Sequence, residues 1–327
     1  MNNSNFILPF EQPLQAIEDE IHKLPKETAE RDKIEVLEKE LKAMMQKVYG
    51  DLTPWQRVQV ARHPKRPYAP YYIETLFEDF QELHGDRCFS DDQALIGGTA
   101  FFQGRSVMLL SQQKGKNTKE NLQRNFGMPN PEGYRKALRL IKLAEKFQLP
   151  IIAFIDTPGA YPGLGSEERH VAEAIAVNLR EMSACTVPIL SFVLGEGGSG
   201  GALGIGVANR IFMLENAYYS VISPEGCAAI LWKDRAHAPE AAKALKISAQ
   251  DLLDHGISDG TVQEPLGGAH CDPEAAAENL RNLLSKHLDE LLQLSSEQLR
   301  SQRYEKFRQM GIFEEISLEG TSTRLPS

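Results

Sequence analysis

The feature that most restricts the fold is a series of short apolar runs separated by helical segments beyond residue 70. Residues 151–155, 188–194 and 210–214 have the length and apolar content of buried strands. Helical periodicity fills the intervals, over residues 131–148 and 172–182. Connections of this kind are right-handed crossovers between parallel strands. The sequence therefore predicts an α/β fold built on a parallel sheet.

Helices are expected on both sides of this segment. Near the N-terminus, apolar residues recur every three or four positions in two series, namely Leu14, Ile17, Ile21 and Leu24, then Ile34, Leu37, Leu41, Met44 and Val48. This spacing predicts a helical hairpin packed on a neighbour, which is either the chain's own domain or another subunit. A leucine-rich pattern after Pro273 predicts C-terminal helices. Residues 73–83 also have helical spacing, and residues 94–102 and 107–111 predict a β-hairpin around Gly104.

Composition excludes several classes of protein. Hydrophobic residues make up 42% and charged residues 25%, which is ordinary for a globular protein. A formal net charge of -9 does not indicate nucleic-acid binding through bulk charge. With no apolar run long enough to span a membrane and no secretory signal, we expect a cytoplasmic protein without a membrane contact. The 4 cysteines form no Cys-x-x-Cys pair, so no metal site is expected in this chain.

Two glycine-rich segments follow buried strands, at the sheet edge where open α/β proteins bind ligands. The first runs from Asp156 to Gly163 and the second from Gly195 to Ala202. The second leads into a helix predicted over residues 200–208, whose first amides have no partner within the helix. Because glycine lacks a Cβ atom, a ligand oxygen can approach such amides closely. The pattern predicts an anion site, or an oxyanion hole if the charge develops during a reaction.

Other interpretations of the second segment stay open from these residues alone. The string Gly195-x-Gly197-x-x-Gly200, with Glu215 further on, matches a dinucleotide fingerprint, so an NAD-dependent oxidoreductase is the main alternative. The string GGSGG around Ser199 matches a nucleophile elbow, although the histidines downstream stand in no persuasive context for a serine hydrolase. The glycines can also serve close packing alone, in a non-catalytic scaffold.

Four long strings carry a resemblance to a known family: QQKGKNTKENLQRNFGMPNPEGYRKALRLIKLAEKF, FIDTPGAYPGLGSEERHVAEAIAVNLREM, GEGGSGGALGIGVANRIFMLENAYYSVISPEGCAAILW and QEPLGGAH. They resemble the carboxyltransferase alpha subunit of bacterial, multi-subunit acetyl-coenzyme A carboxylase. The resemblance implies a crotonase-like ββα superhelix with an N-terminal helical hairpin and C-terminal helices. We accordingly expect a helical region at 1–60, a carboxyltransferase domain at 61–272, and C-terminal helices with a tail at 273–327.

The resemblance also implies a reaction and the residues that support it. The carboxyl group of carboxybiotin, held on a carrier protein, passes to acetyl-coenzyme A and gives malonyl-coenzyme A for fatty acid synthesis. Carried over by position, the backbone amides of Gly200 and Gly201, with Ala202 beside them, form the oxyanion hole for biotin. Since the substrate can supply the base, the protein needs oxyanion holes and placement rather than a Ser-His-Asp set.

Further cofactor-binding residues are expected around these amides. They lie in the two glycine segments and are Gly197, Gly198, Gly159, Ala160 and Tyr161. Lys114 belongs to a basic stretch after a strand, and it either reaches coenzyme A phosphates or the carrier protein, or lies on a solvated face. Glu196 is expected to pair with a basic group near the hole or to lie at the surface.

The resemblance implies partner chains as well. A carboxyltransferase beta subunit of the same fold is expected to carry a zinc ribbon and most coenzyme A contacts, in an assembly of two alpha and two beta subunits (α2β2). A biotin carboxyl carrier protein and biotin carboxylase complete the enzyme. The chain is then active only together with the beta subunit.

Overall fold

The computed structural model describes residues 6–24 and 31–311. The strands are β1 (Glu78–Glu82), β2 (Leu95–Phe102), β3 (Arg105–Gln112), β4 (Ile151–Thr157), β5 (Ile189–Gly198), β6 (Arg210–Leu214), β7 (Tyr218–Ser220) and β8 (Gly260–Val262). The helices are α1 (Gln12–Lys23), α2 (Arg31–Tyr49), α3 (Pro54–Ala61), α4 (Ala69–Leu76), α5 (Thr118–Gln123), α6 (Pro131–Phe147), α7 (Leu164–Glu168), α8 (Val171–Ala184), α9 (Ser199–Leu203), α10 (Pro224–Leu231), α11 (Ala238–Leu245), α12 (Ala249–Asp254), α13 (Pro273–Leu291) and α14 (Ser296–Arg308). The predicted tail beyond residue 311 and the hairpin turn at Pro25 lie outside the described residues.

The strands form one mixed sheet in the order β1-β2-β3-β4-β5-β6-β8, and β7 pairs with the end of β5. The first three strands are antiparallel neighbours, whereas β3, β4, β5, β6 and β8 are parallel. The hairpin between β2 and β3 turns at Gln103 and Gly104, with φ of 49° and 75°, because a two-residue hairpin turn favours positive φ at both positions. The predicted α/β fold around a parallel sheet is confirmed.

The centre of the sheet is buried on both faces. Every residue of β4 and β5 is buried, as expected for parallel strands covered by helices. Helix α6 packs on β2 and β3 and against α8. Helix α13 adds four leucines to the same core, Leu280, Leu284, Leu288 and Leu291. Burial of each such side chain stabilises the fold by about 1.5–3 kcal/mol.

The N-terminal helices pack within the chain itself. Helix α1 lies against α2, and a small apolar cluster joins them to α3. Its buried members are Leu8, Leu14, Tyr49, Leu52 and Val60. The predicted helical hairpin is therefore present, and its apolar side contacts the chain's own residues. The domain boundaries at 60 and 272 stay predictions.

Three local predictions differ from the structure. The helix predicted over residues 73–83 ends at Leu76, because residues 78–82 pair with β2 as an edge strand. Strand β5 continues through Gly198, into the segment predicted to be a loop, because β7 supplies a pairing partner there. Helix α9 ends at Leu203 rather than at residue 208, since Gly204 and Gly206 follow and glycine is a poor helix former.

Candidate functional site

The two glycine-rich segments meet backbone to backbone at the carboxyl ends of β4 and β5. A Cβ atom built on Gly198 would lie 2.1 Å from the carbonyl oxygen of Pro158. One built on Gly201 would lie 2.3 Å from the carbonyl carbon of Gly159 and 2.5 Å from the amide nitrogen of Ala160. Distances this short exclude a side chain, so both positions require glycine for close approach of the backbone.

Two backbone amides at the start of α9 are left without an acceptor. The first residue of α9, Ser199, has a φ of 51°, which is rare for a residue with a side chain and typical of functional turns. Among residues 6–24 and 31–311, no group accepts a hydrogen bond from the amide of Gly200 or Gly201. Gly201 and Ala202 are buried. The first amides of a helix have no acceptor within the helix, so these two remain available to an acceptor from outside it.

Buried polar side chains hold this turn in place. The carbonyl oxygen of Gly201 accepts hydrogen bonds from Gln112 Nε2 at 2.6 Å and from the Tyr134 hydroxyl at 3.2 Å. The Thr157 hydroxyl accepts from the amide of Gly159 at 3.1 Å and donates to its carbonyl oxygen at 2.7 Å. Sequence analysis missed Gln112, Tyr134 and Thr157. The available signal was a polar group inside an otherwise apolar strand or helix face, where a buried donor needs a partner.

An apolar cavity of about 330 Å³ opens beside the turn. Ser199 and Gly200 line one part of it, and Leu203, Tyr219 and Val221 line others. Val221 is 75% exposed and Leu203 is 38% exposed. Exposed aliphatic side chains around a cavity are typical of a surface that binds an apolar ligand or another chain.

A cluster of charged side chains surrounds Asp156 of β4 and Glu196 of β5. Lys114 Nζ is 2.7 Å from Asp156 Oδ1 and 2.8 Å from Glu196 Oε1. Arg62 Nε is 2.7 Å from Glu196 Oε2, which also accepts a hydrogen bond from the Tyr218 hydroxyl. Burial raises the pKa of Glu196, but attraction to Lys114 and Arg62 outweighs it and lowers the pKa to about 2. The predicted pairing of Glu196 with a basic group is confirmed, while a contact of Lys114 with a cofactor stays a prediction.

The remaining predicted site residues lie in the same region. Gly197 is within β5, where a Cβ atom would lie 2.7 Å from the ring of Tyr219. Tyr161 is half-buried after β4, and its amide donates to the carbonyl oxygen of Pro129 at 3.0 Å. The structure thus brings Gly159 and Ala160 against Gly198 and Gly201 at the carboxyl ends of β4 and β5, and Tyr161 follows Ala160 in the chain.

The dinucleotide alternative finds no support in this geometry. Gly195 and Gly197 lie inside β5 rather than in a turn, and α9 has only 5 residues. The carboxylate of Glu215, which would bind a ribose, accepts a hydrogen bond from the amide of Glu264 at 3.1 Å and lies 3.9 Å from Arg57. A Rossmann fingerprint requires the glycines in the turn between strand and helix.

The serine hydrolase alternative also finds no support. A nucleophilic serine needs a histidine within hydrogen-bond reach. Among the described residues, no histidine forms a hydrogen bond with Ser199. His270 instead stacks on His63 with ring centroids 3.9 Å apart, and His255 Nδ1 lies 2.6 Å from the carbonyl oxygen of Asp251.

Neither a metal centre nor a membrane helix occurs in the part of the chain that the structure describes. In residues 6–24 and 31–311, no group of three or more His, Cys, Asp and Glu side chains is placed to hold a metal ion. No helix within those ranges combines the length and the apolar character needed to cross a bilayer.

Comparison with known proteins shows the family of the chain. The family model described as acetyl co-enzyme A carboxylase carboxyltransferase-like matches residues 7–311. The acetyl-coenzyme A carboxylase carboxyl transferase subunit alpha of Staphylococcus epidermidis is 56% identical over 311 residues, which cover 93% of this chain and 99% of that protein. The proteins of the same name from Listeria monocytogenes and Geobacter metallireducens are 55% and 54% identical, over 94% and 95% of this chain and 99% of their own lengths.

Solved structures with the same fold are more distant in sequence. The geranyl-CoA carboxylase beta subunit of P. aeruginosa superimposes with a TM-score of 0.56 at 18% identity, over 76% of this chain and 46% of that one. Transcarboxylase 12S gives 0.54 at 20% identity, over 68% and 42%. A malonate decarboxylase hetero-dimer of Pseudomonas gives 0.55 at 18% identity, over 67% and 89%. These likenesses confirm the crotonase-like fold.

Proposed function

The chain belongs to the family of acetyl-coenzyme A carboxylase carboxyltransferase alpha subunits, and from this premise we propose the reaction and the residues that carry it. The chain transfers the carboxyl group of carboxybiotin, held on a carrier protein, to acetyl-coenzyme A. The product is malonyl-coenzyme A for fatty acid synthesis. The reaction takes place in the cytoplasm.

The observation that carries the proposal is the pair of unpaired amides at Gly200 and Gly201. They donate to the ureido oxygen of biotin, with Ala202 in the same turn. Preorganised amides of this kind stabilise a developing negative charge because they need no reorientation during the reaction. When bound, carboxybiotin supplies the carboxyl carbon together with a ureido group that accepts the methyl proton of acetyl-coenzyme A.

The surroundings of the amides fit a biotin ring. The adjoining cavity of about 330 Å³ is mostly apolar and includes Gly200, Leu203 and Val221. A small bicyclic ring with one polar ureido edge needs this combination of apolar walls and a few amide donors. We assign Gly197, Gly198, Gly159, Ala160 and Tyr161 to the same biotin site, as the residues that surround the turn and support it.

Partner chains complete this site. The relatives are named as a subunit alpha, which implies a complex of several chains. We assign to a carboxyltransferase beta subunit of the same fold the zinc ribbon, most coenzyme A contacts and the second oxyanion hole, in an α2β2 assembly. The biotin carboxyl carrier protein and biotin carboxylase act with it. The exposed Val221 and Leu203 are consistent with a second chain covering the cavity.

The test is an assay of carboxyl transfer by the chain alone and after co-expression with its cognate beta subunit. Carboxybiotinylated carrier protein is the donor, and acetyl-, propionyl- and butyryl-coenzyme A are compared as acceptors. We expect malonyl-coenzyme A only from the complex, with acetyl-coenzyme A preferred. Full activity of the chain alone would contradict the shared site, and no transfer by a correctly assembled complex would contradict the function.

A further inference from the structure

The inference concerns a break in the pairing of β4 and β5 just before the glycine turn. Ile155 pairs with Val193, but the next pair is Thr157 with Gly197. One residue of β4, Asp156, therefore lies opposite the longer stretch 194–196 of β5. Such a bulge redirects the strand and leaves backbone groups outside the ladder. Helix α9 begins directly after the end of β5.

Side chains bind the backbone groups that the bulge releases. Asp156 Oδ1 accepts a hydrogen bond from the amide of Glu196 at 2.9 Å. The carbonyl oxygen of Leu194 accepts two from Arg66, at 2.7 Å and 3.0 Å. The shape of the bulge therefore depends on side-chain contacts rather than on the ladder.

Lys114 connects the two carboxylates of the bulge. Its ammonium lies 2.7 Å from Asp156 Oδ1 and 2.8 Å from Glu196 Oε1, one on β4 and the other on β5. The exposed fractions of the two carboxylate side chains are 7% and 8%. Two carboxylates buried this close repel each other unless a cation lies between them or one of them binds a proton.

A small displacement of β5 at the bulge changes the position of the Gly200 and Gly201 amides. Glu196 is two residues before Gly198, and Gly198 packs against the backbone of Pro158 without room for a Cβ atom. A shift of β5 against β4 therefore moves the turn that carries Gly200 and Gly201. Misplacement of reacting groups by about 1 Å can cost about 100-fold in rate.

We propose that Lys114 is a positioning residue: its ammonium holds Asp156 and Glu196 together and thereby sets the position of the Gly200 and Gly201 amides. The proposal rests on the proposed function for its effect on catalysis. It assigns to Lys114 a role inside the chain, in place of a contact with coenzyme A phosphates or with the carrier protein.

Other polar and charged side chains lie near Asp156 and Glu196. They determine which carboxylate loses its partner when Lys114 is replaced. Arg62 and Tyr218 contact Glu196 on the side away from Lys114, so Glu196 keeps a cation when Lys114 is removed. Tyr68 and Arg66 border the cavity of about 270 Å³ next to Asp156. Arg66 is bound to Glu264, so Asp156 loses its ion-pair partner when Lys114 is replaced.

The experiment compares Lys114→Met with Lys114→Met/Asp156→Asn in the complex with the beta subunit. The asparagine oxygen can still accept the hydrogen bond from the Glu196 amide, and the repulsion between two carboxylates is gone. We expect Lys114→Met to lower kcat about 10- to 100-fold with KM for acetyl-coenzyme A within about 2-fold of the original. The double variant and Lys114→Arg recover part of that loss. Lys286→Met, an exposed lysine on α13, serves as the matched control and leaves kcat unchanged.

The pH profile separates positioning from a general loss of structure. In Lys114→Met, activity relative to the original enzyme rises as the pH falls, because a proton can replace the missing ammonium between the carboxylates. The double variant lacks this rise. A higher KM with unchanged kcat would overturn the proposal in favour of a direct ligand contact. A kcat loss that neither the second substitution nor acid restores would overturn it in favour of a purely structural role.

A measurement without turnover keeps this proposal separate from the proposed function. Hydrogen exchange of the amides in residues 194–198 is followed by mass spectrometry in the same complexes. We expect faster exchange in Lys114→Met and near-original exchange in the double variant, whether or not carboxyl transfer is detected. Equal exchange in the original protein and Lys114→Met would overturn the positioning role. An inactive original complex would contradict only the proposed function.

Discussion

The backbone polar groups next to the two ends of β5 differ in whether they have hydrogen-bond partners. Ahead of its first residue, the carbonyl oxygens of Met182, Cys185 and Val187 all accept hydrogen bonds from the guanidinium of Arg303, at 2.7–3.1 Å. Beyond its last residue, the amides of Gly200 and Gly201 have no acceptor within residues 6–24 and 31–311. Gly201 is buried and Gly200 is half-buried.

This contrast separates the end of β5 that stabilises the fold from the end that we assign to ligand binding. Where a fold has only to be stable, buried backbone groups are paired, since each one left unpaired costs about 1–3 kcal/mol. Arg303 is completely buried and pairs these carbonyl oxygens through its two terminal nitrogens, although burial lowers its pKa to about 10. At the other end of β5 the two amides of α9 stay unpaired, as the proposed biotin site requires.

The largest expected effect is a loss of stability when the hydrogen bonds of Arg303, ahead of β5, are removed. Replacing Arg303 with methionine leaves the carbonyl oxygens of Cys185 and Val187 without their donor. It also removes one of two donors from the Met182 carbonyl oxygen and from Asn209 Oδ1, which keep the amides of Cys185 and Ile189. We expect the free energy of unfolding to fall by at least about 3 kcal/mol in a denaturant titration. The activity per folded molecule in the complex stays near the original value, because Arg303 is remote from the glycine turn.

Arg300→Met, an exposed position on the same helix, is the control and changes stability by less than about 0.5 kcal/mol. A loss at Arg303 no larger than the loss at Arg300 would show that the carbonyl contacts are not important for folding.

The next largest expected effect is on kcat, when the glycines that carry the unpaired amides beyond β5 are substituted. A Cβ atom on Gly200 would have Ile175 Cδ1 at 3.6 Å as its nearest neighbour, which is ordinary van der Waals contact. Gly200→Val is expected to fold and to assemble with the beta subunit, yet to lower kcat about 100-fold, because bulk beside the amides keeps the ureido oxygen away. Gly201→Ala, whose Cβ would meet Gly159 at 2.3 Å, lowers both stability and activity.

The informative result is the difference between the two variants: Gly200→Val loses activity alone, and Gly201→Ala loses both stability and activity. A Gly200→Val complex that transfers carboxyl groups at the original rate would remove the amides from the mechanism. It would favour the view that the glycines serve packing alone.

The smallest effect concerns acid stability next to the turn. The pKa of Glu196 is lowered from 4.5 to about 2, so its ionised form stabilises the fold above pH 4.5. This stabilisation is lost as the pH falls from 4.5 towards about 2, because the unfolded chain binds the proton first. Glu196→Gln is expected to be less stable than the original protein at neutral pH, with a difference that shrinks over this range. Thermal unfolding at a series of pH values measures it, and a constant difference would contradict the ion pairs with Lys114 and Arg62.

The parts of the molecule that depend on local pattern could be predicted from the sequence. The buried strands β4, β5 and β6 are short apolar runs, and the turn at Gly200 is identified by its glycines and by the family resemblance. The extension of β5 could not be predicted, because it depends on pairing with the 3 residues of β7. Edge strand β1 has a mixed burial pattern, which is readily taken for helical spacing.

The residues that support the glycine turn could not be predicted from the sequence, for a similar reason. Gln112 reaches the carbonyl oxygen of Gly201 from 89 positions away, and Tyr134 reaches it from 67. Asp156 contacts the amide of Glu196 across 40 positions. Hydropathy and spacing describe neighbours along the chain, whereas these hydrogen bonds depend on how the sheet brings distant strands together.

The most direct test of the central claim is a crystal structure of the alpha–beta complex with the biotinylated carrier protein bound. The distance to measure joins the ureido oxygen of biotin to the amide nitrogens of Gly200 and Gly201. We predict hydrogen bonds of about 2.7–3.1 Å to both. A ureido oxygen bound elsewhere, or amides that donate to carbonyl oxygens of the assembled protein itself, would contradict the account.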